Sequence, residues 1–455
     1  MTTARPTVAV IGGGMAGLSA AHALRDVADV VLLEASGRVG GKVRVSEVGG
    51  VQVDEGADAL IRRVPYALDL VAAAGLRDDL VSPASGQAFV RSRGRLRPLP
   101  GGTVLGVPGD LASLARSEVL SASGLARVPV DLVAPGEPTT EDVSVGGLVA
   151  ARLGREVVER LVDPLLGGVY AGRADALSLQ ATLPQLVGPL ARQRSLVLAV
   201  REARAGFDRV DGPVFAGLPG GLGRLPGAVA SASAARVVTG TTVRALERTT
   251  TGWRLTTGSA AAPSYLEVDA VIVAVPAAAA ERLLRKVAPA AAGELAGIDY
   301  ASVAIVTLVL DGPTPGRGSG YLVPAVEGLS TKAVTFTSRK WGTTGPAVIR
   351  ASVGRFGDEV ELQREDGELV AVVRRELELV VGPLPNLLDS RVTRWGGGLP
   401  QYAVGHLDRV RRICAALPAG VAVAGAAYGG IGVPAVIRSG QEAAARVQNG
   451  WHDSP

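Results

Sequence analysis

The first twenty-four residues constrain the fold more than any other part of the sequence. A short apolar run, Thr7–Ile11, ends in a glycine-rich turn at residues 12–17 (GGGMAG), and helical periodicity follows at residues 18–24. This is a G-x-G-x-x-G turn in the strand-turn-helix setting that a dinucleotide site requires. The first glycine allows the tight turn, the second lets a pyrophosphate approach the backbone, and the third permits close packing of helix on strand. The pattern predicts a Rossmann-like unit whose helix N-terminus binds a diphosphate.

The residues after this unit narrow the choice of dinucleotide. A second apolar run at residues 30–33 ends at Glu34, about twenty residues beyond the second glycine of the turn. A carboxylate there accepts hydrogen bonds from a ribose diol and disfavours a 2′-phosphate, so NAD and FAD both fit and NADP does not. Arg38 offers a guanidinium to a phosphate and Gly41 allows close backbone approach, which favours FAD. The alternative interpretation makes Glu34, Arg38 and Gly41 ordinary solvated turn residues.

Composition excludes several other classes of protein. The chain has 455 residues, 47% of them hydrophobic and 20% charged, which suits about three folded domains. A formal charge of +4 without a basic run argues against binding to nucleic acid. A single cysteine, Cys414, and three histidines (His22, His406 and His452) argue against a disulfide framework and against any metal site.

The sequence predicts a cytoplasmic protein without a transmembrane segment. The first strand runs directly into the glycine turn without a cleavage pattern, so we expect no signal peptide. Residues 413–437 carry no charge and are long enough to span a bilayer, but Pro418, Pro434 and five glycines interrupt them. We interpret this stretch as a buried strand, a turn and the start of a helix.

The order of predicted elements indicates an α/β fold with a Rossmann-like FAD-binding domain built from discontinuous segments, an α+β substrate-binding domain and an inserted helical domain. The FAD-binding domain is expected at residues 1–75, 217–298 and 402–455, the substrate-binding domain at 76–97 and 299–401, and the helical domain at 98–216. Further strands are predicted at 236–238, 242–246, 253–257, 265–268, 270–275, 300–310, 333–337, 347–353 and 421–425, and helices at 145–161, 368–381 and 432–445.

Several longer segments resemble one group of enzymes. The glycine turn, Glu34 and the sequence RVGGK at residues 38–42 are similar to the flavin amine oxidase superfamily. Within it, the chain resembles the bacterial porphyrinogen oxidases, and the resemblance extends from about residue 7 to residue 447. The segments that carry it are 163–172 (DPLLGGVYAG), 332–341 (KAVTFTSRKW), 394–395 (RW), 400–406 (PQYAVGH) and 428–434 (YGGIGVP).

The resemblance implies an activity. It implies FAD-dependent, oxygen-dependent oxidation of coproporphyrinogen III to coproporphyrin III in haem biosynthesis, with release of hydrogen peroxide and with protoporphyrinogen IX as a further substrate. The flavin carries this chemistry, so no catalytic side chain is expected. The expected partners are the porphyrinogen and dioxygen. The helical domain touches a membrane in some members of the family, and the sequence leaves that contact and the oligomeric state open.

The resemblance also implies which residues contact FAD. Arg38, Gly41 and Gly425 are added to this set on the sequence pattern alone. Lys42 departs from the tryptophan found at this place in some relatives, and Val243 is expected to contribute its backbone. The predicted FAD contacts are Gly12, Gly13, Gly14, Met15, Ala16, Gly17, Glu34, Ala35, Arg38, Gly41, Lys42, Gly56, Ala57, Asp58, Ala59, Val243, Gly425, Ala426, Ile431, Gly432 and Val433.

Four residues are candidates for contact with the porphyrinogen. Gly167 and Gly168 match the place where the edge of the macrocycle packs in this family, although a plain helix break is the alternative interpretation. Arg62 and Arg63 are candidates for the substrate propionates, because guanidinium groups bind carboxylates bidentately, and surface charges are the alternative. His406 is expected to be structural rather than a base, and Cys414 to be inert.

Two other functions stay open from the sequence alone. An amine or polyamine oxidase would use the same fold but would enclose a cation with aromatic residues, and only 4% of this chain is aromatic. The second alternative is a non-catalytic porphyrin carrier that keeps FAD as a structural element.

Overall fold

The computed structural model describes residues 5–62, 64–207 and 213–452, together with the backbone but not the side chains of Phe207, Trp451 and His452. The candidate residue Arg63 lies outside the described residues. The strands in chain order are β1 (Thr7–Ile11), β2 (Asp29–Leu33), β3 (Val45–Val48), β4 (Val51–Asp54), β5 (Leu60–Ile61), β6 (Ala88–Ser92), β7 (Arg95–Pro98), β8 (Thr103–Val104), β9 (Val107–Pro108), β10 (Phe215–Ala216), β11 (Arg236–Val238), β12 (Ala245–Arg248), β13 (Trp253–Gly258), β14 (Pro263–Val268), β15 (Ala270–Val273), β16 (Tyr300–Leu310), β17 (Gly320–Leu322), β18 (Thr331–Phe336), β19 (Ala347–Val353), β20 (Leu387–Pro400) and β21 (Val421–Val423).

The helices are α1 (Met15–Leu24), α2 (Pro65–Ala73), α3 (Leu111–Ser117), α4 (Ala122–Arg127), α5 (Val130–Val133), α6 (Val145–Leu153), α7 (Arg155–Val157), α8 (Asp163–Tyr170), α9 (Leu179–Thr182), α10 (Pro184–Arg192), α11 (Leu196–Phe207), α12 (Arg224–Ala232), α13 (Ala277–Leu284), α14 (Pro289–Ala296), α15 (Thr337–Trp341), α16 (Asp366–Val381), α17 (His406–Ala415) and α18 (Val433–His452). A single wider turn of π type, Val158–Val162, joins α7 to α8.

A five-stranded parallel sheet carries the glycine turn. Its strand order is β11-β2-β1-β15-β21, so its strands come from three separate stretches of the chain. Val8, Val10 and Ile272 face α1, α2, α12 and α18, whereas Ala9 and Val271 face α13, α14 and α17. Both faces are covered by helices, which explains why these strands are continuous apolar runs rather than alternating ones.

Helices α1 and α18 pack against each other on one face of this sheet. Ser19 on α1 donates its hydroxyl to the backbone carbonyl of Ile437 on α18, at 2.8 Å. Gly440 lies so close to α1 that a Cβ atom on it would stand 2.1 Å from the carbonyl oxygen of Ala16. The two helices therefore meet backbone to backbone, and their N-termini lie on the same side of the sheet.

A second sheet of seven strands has the order β20-β16-β19-β18-β17-β6-β7. All neighbours are antiparallel except β17 and β6, as expected for the α+β part of the chain. Helix α16 covers one face through Leu369, Val373 and Leu377. Helices α3 to α11 follow β7 and precede β10 along the chain. They form a separate layer around the buried residues Leu153 and Leu161.

Several predicted elements need correction. The predicted helix 145–161 is broken at Gly154, whose φ of +97° is incompatible with a helix. The predicted strand 242–246 begins only at β12, because Thr241 donates its N–H to the carbonyl of Glu34 and stays beside β2. Strand β18 starts two residues before the predicted 333–337, and Thr337 already belongs to α15. The last helix continues beyond the predicted 445 to His452.

The uncharged stretch 413–437 contains the end of α17, strand β21 and the start of α18, so the interpretation as strand, turn and helix is confirmed. Within the part of the chain that the structure describes, no helix is both long and apolar enough to cross a membrane. The boundaries of the three domains stay a prediction.

The contact between α1 and α18 generates a test of stability. In Gly440→Ala the new methyl group meets the carbonyl of Ala16, so the helices must separate at a cost of about 1–3 kcal/mol. In Gly293→Ala, on the exposed side of α14, a Cβ atom meets nothing within 4 Å. There alanine should stabilise the helix by about 1 kcal/mol.

Thermal unfolding of the two variants and the wild type measures this difference. We expect the Tm of Gly440→Ala to fall by several degrees and that of Gly293→Ala to rise or stay unchanged. Equal Tm values for Gly440→Ala and the wild type would show that the two helices do not touch in this way.

Candidate functional site

The glycine turn has the geometry that its sequence predicts. Gly12 has a φ of +107°, and a Cβ atom on it would lie 2.5 Å from the carbonyl oxygen of Ala274. A Cβ atom on Gly17 would lie 1.9 Å from the carbonyl oxygen of Gly12, so this glycine is required for helix α1 to sit on β1. A Cβ atom on Gly14 meets nothing within 4 Å. The turning role of Gly12 and the packing role of Gly17 are therefore confirmed, while Gly14 borders open space.

Helix α1 begins beside that open space without a side-chain cap. Its first residues, Met15, Ala16 and Gly17, are buried, so their N–H groups need a partner that the helix itself does not provide. A diphosphate has the charge and the acceptor oxygens to satisfy them.

Glu34 closes the other end of the turn. One carboxylate oxygen accepts the N–H of Gly13 at 2.7 Å, and the other accepts the N–H of Ser36 at 2.8 Å. The carboxylate is thus held at the tip of β2, and each oxygen keeps a further lone pair for a ribose hydroxyl.

The segment that follows β2 folds back onto the glycine turn. Gly40 donates its N–H to the carbonyl of Gly13 at 2.7 Å, and a Cβ atom on Gly41 would be 3.3 Å from the Cα atom of Gly14. Arg38 donates to the carbonyls of Val39 and Gly41, at 3.1 and 3.0 Å. The guanidinium of Arg38 therefore braces its own loop, and its contact with a phosphate stays a prediction.

Lys42 and Gly56 form the next part of the site. A Cβ atom on Gly56 would lie 2.0 Å from the carbonyl oxygen of Lys42, and 3.6 Å from the ring of Trp395. The indole N–H of Trp395 donates to the carbonyl of Glu55 at 2.9 Å. Burial lowers the pKa of the Lys42 ammonium, for which no hydrogen bond or ion pair to another described residue is seen. An anionic cofactor would give this cation a partner.

Asp58 anchors the turn that starts at Gly56. Its carboxylate accepts from Lys340 Nζ at 2.8 Å and lies 3.3 Å from a guanidinium nitrogen of Arg350, which also donates to the carbonyl of Gly56. Burial alone would raise the pKa of Asp58, but Arg350 and Lys340 outweigh it and hold this pKa below its usual range. Two cations thus engage one carboxylate oxygen of Asp58, and the contact of this residue with FAD stays a prediction.

The C-terminal contribution comes from the loop between β21 and α18. Gly425 has a φ of +135° and donates its N–H to the hydroxyl of Ser439 at 3.0 Å. The carbonyl of Ala426 accepts a hydrogen bond from the hydroxyl of Tyr402. Gly432 and Val433 then start α18. Val243 is buried among residues that cover the opposite face of the parallel sheet.

The candidate substrate residues lie on α8 and β5. Gly167 and Gly168 both belong to α8, so the alternative of a helix break is wrong. Gly168 is exposed, and a Cβ atom on it would be 3.5 Å from Leu322 on β17. Arg62 is partly buried and donates to the hydroxyl of Ser82 at 3.1 Å. Its role toward a carboxylate stays a prediction.

His406 belongs to an aromatic stack rather than to a set of polar groups. Its ring stacks on Tyr402 with a centroid distance of 4.1 Å, and Tyr170 approaches Tyr402 from another side at 5.5 Å. Burial lowers the pKa of His406 to about 4, so the imidazole is neutral at physiological pH. Its position and protonation agree with the structural role expected from the sequence. Cys414 lies on α17, where burial raises the pKa of its thiol.

Sequence reasoning missed three residues of this site as individuals. Lys340, Arg350 and Trp395 fix the Gly56 turn, yet none was singled out. Lys340 and Trp395 fall inside the segments that resemble the porphyrinogen oxidases, which was the available signal. Arg350, in the middle of β19, is marked only by being a charged residue in an otherwise apolar strand.

One open cleft of about 800 Å³ adjoins the Gly56 turn through Glu55. Arg44, Glu55, Asp366 and Arg391 contribute to its walls. Glu55 is already paired there, with Arg44 at 2.8 Å and with Arg391 at 3.1 Å. None of the predicted FAD or substrate residues lines this cleft, and both of its carboxylates are already paired with arginines, so we do not place the site there.

The buried neutral state of His406 predicts how stability depends on pH. An unfolded histidine titrates near 6.5, whereas the folded group titrates near 4. Between these values the unfolded chain binds a proton that the folded chain refuses, so stability should fall as the pH drops from 6.5 to 4, by up to about 3 kcal/mol. His406→Gln removes this contribution.

The contribution of His406 to the pH dependence of stability is measured as the Tm of the wild type and His406→Gln at pH 7.0, 5.5 and 4.5. His22→Gln, at a half-buried histidine, is the control. We expect the Tm of His406→Gln to fall less on acidification than that of the wild type. Identical acid sensitivity in all three proteins would contradict a buried, neutral His406.

Comparison with known proteins agrees with this geometry. The sequence pattern of the family described as flavin containing amine oxidoreductase matches residues 15–448. Coproporphyrinogen III oxidase of Mycobacterium tuberculosis is 39% identical to this chain over 436 residues, with 94% of each chain covered. The enzyme of the same name from Bacillus subtilis is 32% identical over 466 residues, covering 97% of this chain and 98% of the relative.

Among solved structures, a candidate protoporphyrinogen oxidase from Exiguobacterium sp. 255-15 matches with a TM-score of 0.87 at 30% identity, covering 98% of this chain and 99% of that one. These similarities confirm the mixed α/β fold of the flavin amine oxidases and FAD as the cofactor. They also show that the chain is an enzyme. The chain belongs to the family of flavin-containing amine oxidoreductases.

Proposed function

We propose that this enzyme oxidises coproporphyrinogen III to coproporphyrin III in haem biosynthesis, with dioxygen as the electron acceptor and hydrogen peroxide as its product. One observation carries the proposal: relatives named coproporphyrinogen III oxidase match 94–97% of the chain at 32–39% identity. Protoporphyrinogen IX is proposed as a further substrate, and the cytoplasm as the compartment.

FAD would lie across the β1-turn-α1 unit, with its diphosphate at the uncapped start of α1 beside Gly14 and its adenosine ribose at Glu34. Lys42, the Gly56 turn and the start of α18 would surround the remainder of the cofactor. The open space beside Gly14 and the unpaired Lys42 ammonium support this placement. The same arrangement supports assigning β1, β2, β11, β15 and β21 to a single FAD-binding domain made of discontinuous segments, next to substrate-binding and helical domains.

Bound FAD would supply the hydride acceptor for oxidation of the porphyrinogen, so the role proposed for the protein is to position the substrate rather than to provide a nucleophile. Trp395, Ala171, Val303 and Leu399 form one apolar cluster next to the Gly56 turn, which suits a flat macrocycle. Gly167 and Gly168 keep the adjoining surface of α8 free of side chains. No protonated histidine is needed, since His406 is neutral and part of the aromatic stack.

The substrate carries four propionates, which need cationic partners at the rim. Arg62 is the described candidate; it donates to the neutral hydroxyl of Ser82, and no ion pair joins it to another described residue. Arg63 is proposed from the sequence alone.

Purified holoenzyme incubated with anaerobically prepared coproporphyrinogen III, and then exposed to air, tests the proposed reaction. We expect porphyrin fluorescence to rise well above the rate of autoxidation, with hydrogen peroxide formed alongside it. Under argon, the substrate should bleach the flavin absorbance. A yellow protein that neither bleaches nor speeds porphyrin formation, or one that is reduced by polyamines instead, would overturn the assignment.

Asp58 tests whether the Gly56 turn holds the cofactor. Asp58→Asn leaves Lys340 and Arg350 without their shared counter-charge, which should cost about 3 kcal/mol and release the turn. We expect FAD to dissociate at least tenfold more readily, measured as free flavin fluorescence after filtration of diluted holoenzyme.

The matched control is Glu281→Gln, which breaks the exposed pair with Arg285. Such surface pairs contribute at most about 1 kcal/mol, and neither Glu281 nor Arg285 is among the predicted FAD contacts. Retention of FAD by Asp58→Asn at the level of the control would contradict the proposed role of the turn.

A further inference from the structure

Lys332 on β18 is a buried cation without a counter-charge. The residue is only 5% exposed, and its ammonium makes no hydrogen bond or ion pair to any other described residue. Burial and the neighbouring charge of Arg355 lower the pKa of Lys332 to about 7. Because an unpaired buried charge costs several kcal/mol, such a lysine requires a compensating anion or a functional reason.

A β-bulge determines where Lys332 points. Thr331 pairs with Val353 and Ala333 pairs with Ser352, so Lys332 is the extra residue that β18 inserts between two consecutive residues of β19. Lys332 and Ala333 together oppose Ser352, and directly opposed side chains share one face of a sheet. That face is the one that carries Leu322, which pairs with Ala333.

The same face borders the candidate substrate residues. Leu322 packs against the helical layer together with Ile431. A Cβ atom on Gly168 would lie 3.5 Å from a methyl group of Leu322. The bulge therefore brings the Lys332 ammonium to the side of β18 that faces α8.

Nearby carboxylates are committed to other partners. Glu376 approaches from α16, on the opposite face of the sheet, and accepts the N–H groups of Ser330 and Thr331 at 2.8 and 2.9 Å. Asp163, in the first turn of α8, accepts the N–H of Ala174 at 2.8 Å and interacts electrostatically with Arg355.

Arg355 adds positive charge to the same neighbourhood. It is buried as well, its guanidinium donates to the carbonyl of Val323 at 3.0 Å, and the carboxylates of Asp358 and Asp163 act on its charge. The described carboxylates of this region thus act on Arg355 or accept backbone N–H groups, and none of them forms an ion pair with Lys332.

We propose that Lys332 binds a carboxylate of the porphyrinogen and so favours substrates with more propionates. This inference rests on the proposed function and adds a residue that the site candidates Arg62 and Arg63 do not include. A bound substrate carboxylate neutralises the Lys332 ammonium and removes the free-energy cost of its burial. The affinity for the substrate therefore depends on the positive charge of Lys332. The contact is made alike before and after oxidation, so it affects KM and leaves kcat nearly unchanged.

The test compares Lys332→Met, which keeps the length and loses the charge, with Lys332→Arg, which keeps the charge. Lys286→Met, at an exposed lysine on the loop after α13, is the matched control. KM and kcat are measured for coproporphyrinogen III, with four carboxylates, and for protoporphyrinogen IX, with two. Affinity of the oxidised holoenzyme for coproporphyrin III is measured by absorbance titration.

We expect Lys332→Met to raise the KM for coproporphyrinogen III and the Kd for coproporphyrin III at least tenfold, with a smaller change for protoporphyrinogen IX. Lys332→Arg should stay within about threefold of the wild type. The Tm of Lys332→Met should equal or exceed that of the wild type, because a buried unpaired charge is removed. A merely structural lysine would instead lower the Tm and leave the ratio of the two KM values unchanged.

Wild-type affinity and KM in a folded, flavin-loaded Lys332→Met would overturn this inference while leaving the proposed function intact. If wild-type enzyme itself fails to oxidise either porphyrinogen, the proposed function is wrong, and the inference is wrong with it. Lys332→Gln, neutral but polar, carries the same expectation if Lys332→Met does not fold.

Discussion

The fold depends on the contact between the Cα atom of Gly17 and the carbonyl oxygen of Gly12. With no Cβ atom between them, helix α1 begins directly on the end of β1, and its first N–H groups point into the open space beside Gly14. The contact of Gly440 with Ala16 then places α18 directly against α1. Two backbone contacts thus bring residues more than 400 positions apart to one anion-binding site.

Features that depend on interactions between residues close in sequence could be predicted, whereas those that depend on distant residues could not. Strands of the parallel sheet were found because burial on both faces leaves continuous apolar runs, as in β1 and β15. Breaks that depend on one backbone angle, such as Gly154 between α6 and α7, were missed because periodicity continues through them. The glycine roles at positions 12 and 17 were predictable because they are local to a strand-turn-helix unit.

The supports of the site were not predictable from local patterns. Asp58 was expected to contact FAD, but its carboxylate pairs with Lys340, 282 residues away in sequence. The β-bulge at Lys332 could not be predicted either, because the sequence of β18 has the pattern of a regular strand. Such residues become apparent only when the structure shows whether each charged side chain is buried and whether it has a partner of opposite charge.

The use of lysine connects these observations. Of 47 cationic side chains only four are lysines, and Lys42, Lys332 and Lys340 are largely removed from solvent, whereas Lys286 is exposed. Arginine provides the surface charge, and lysine is placed where a compact ammonium with an adjustable pKa fits. Lys340 is neutralised by Asp58, but Lys42 and Lys332 have no counter-charge among the described residues. Each of these two ammonium groups would gain a counter-charge from the ligand proposed for it, a dinucleotide at Lys42 and a carboxylate of the substrate at Lys332. Under the proposed function, a cationic site of this kind would favour a carboxylate substrate over the protonated amines that amine oxidases of the same fold bind.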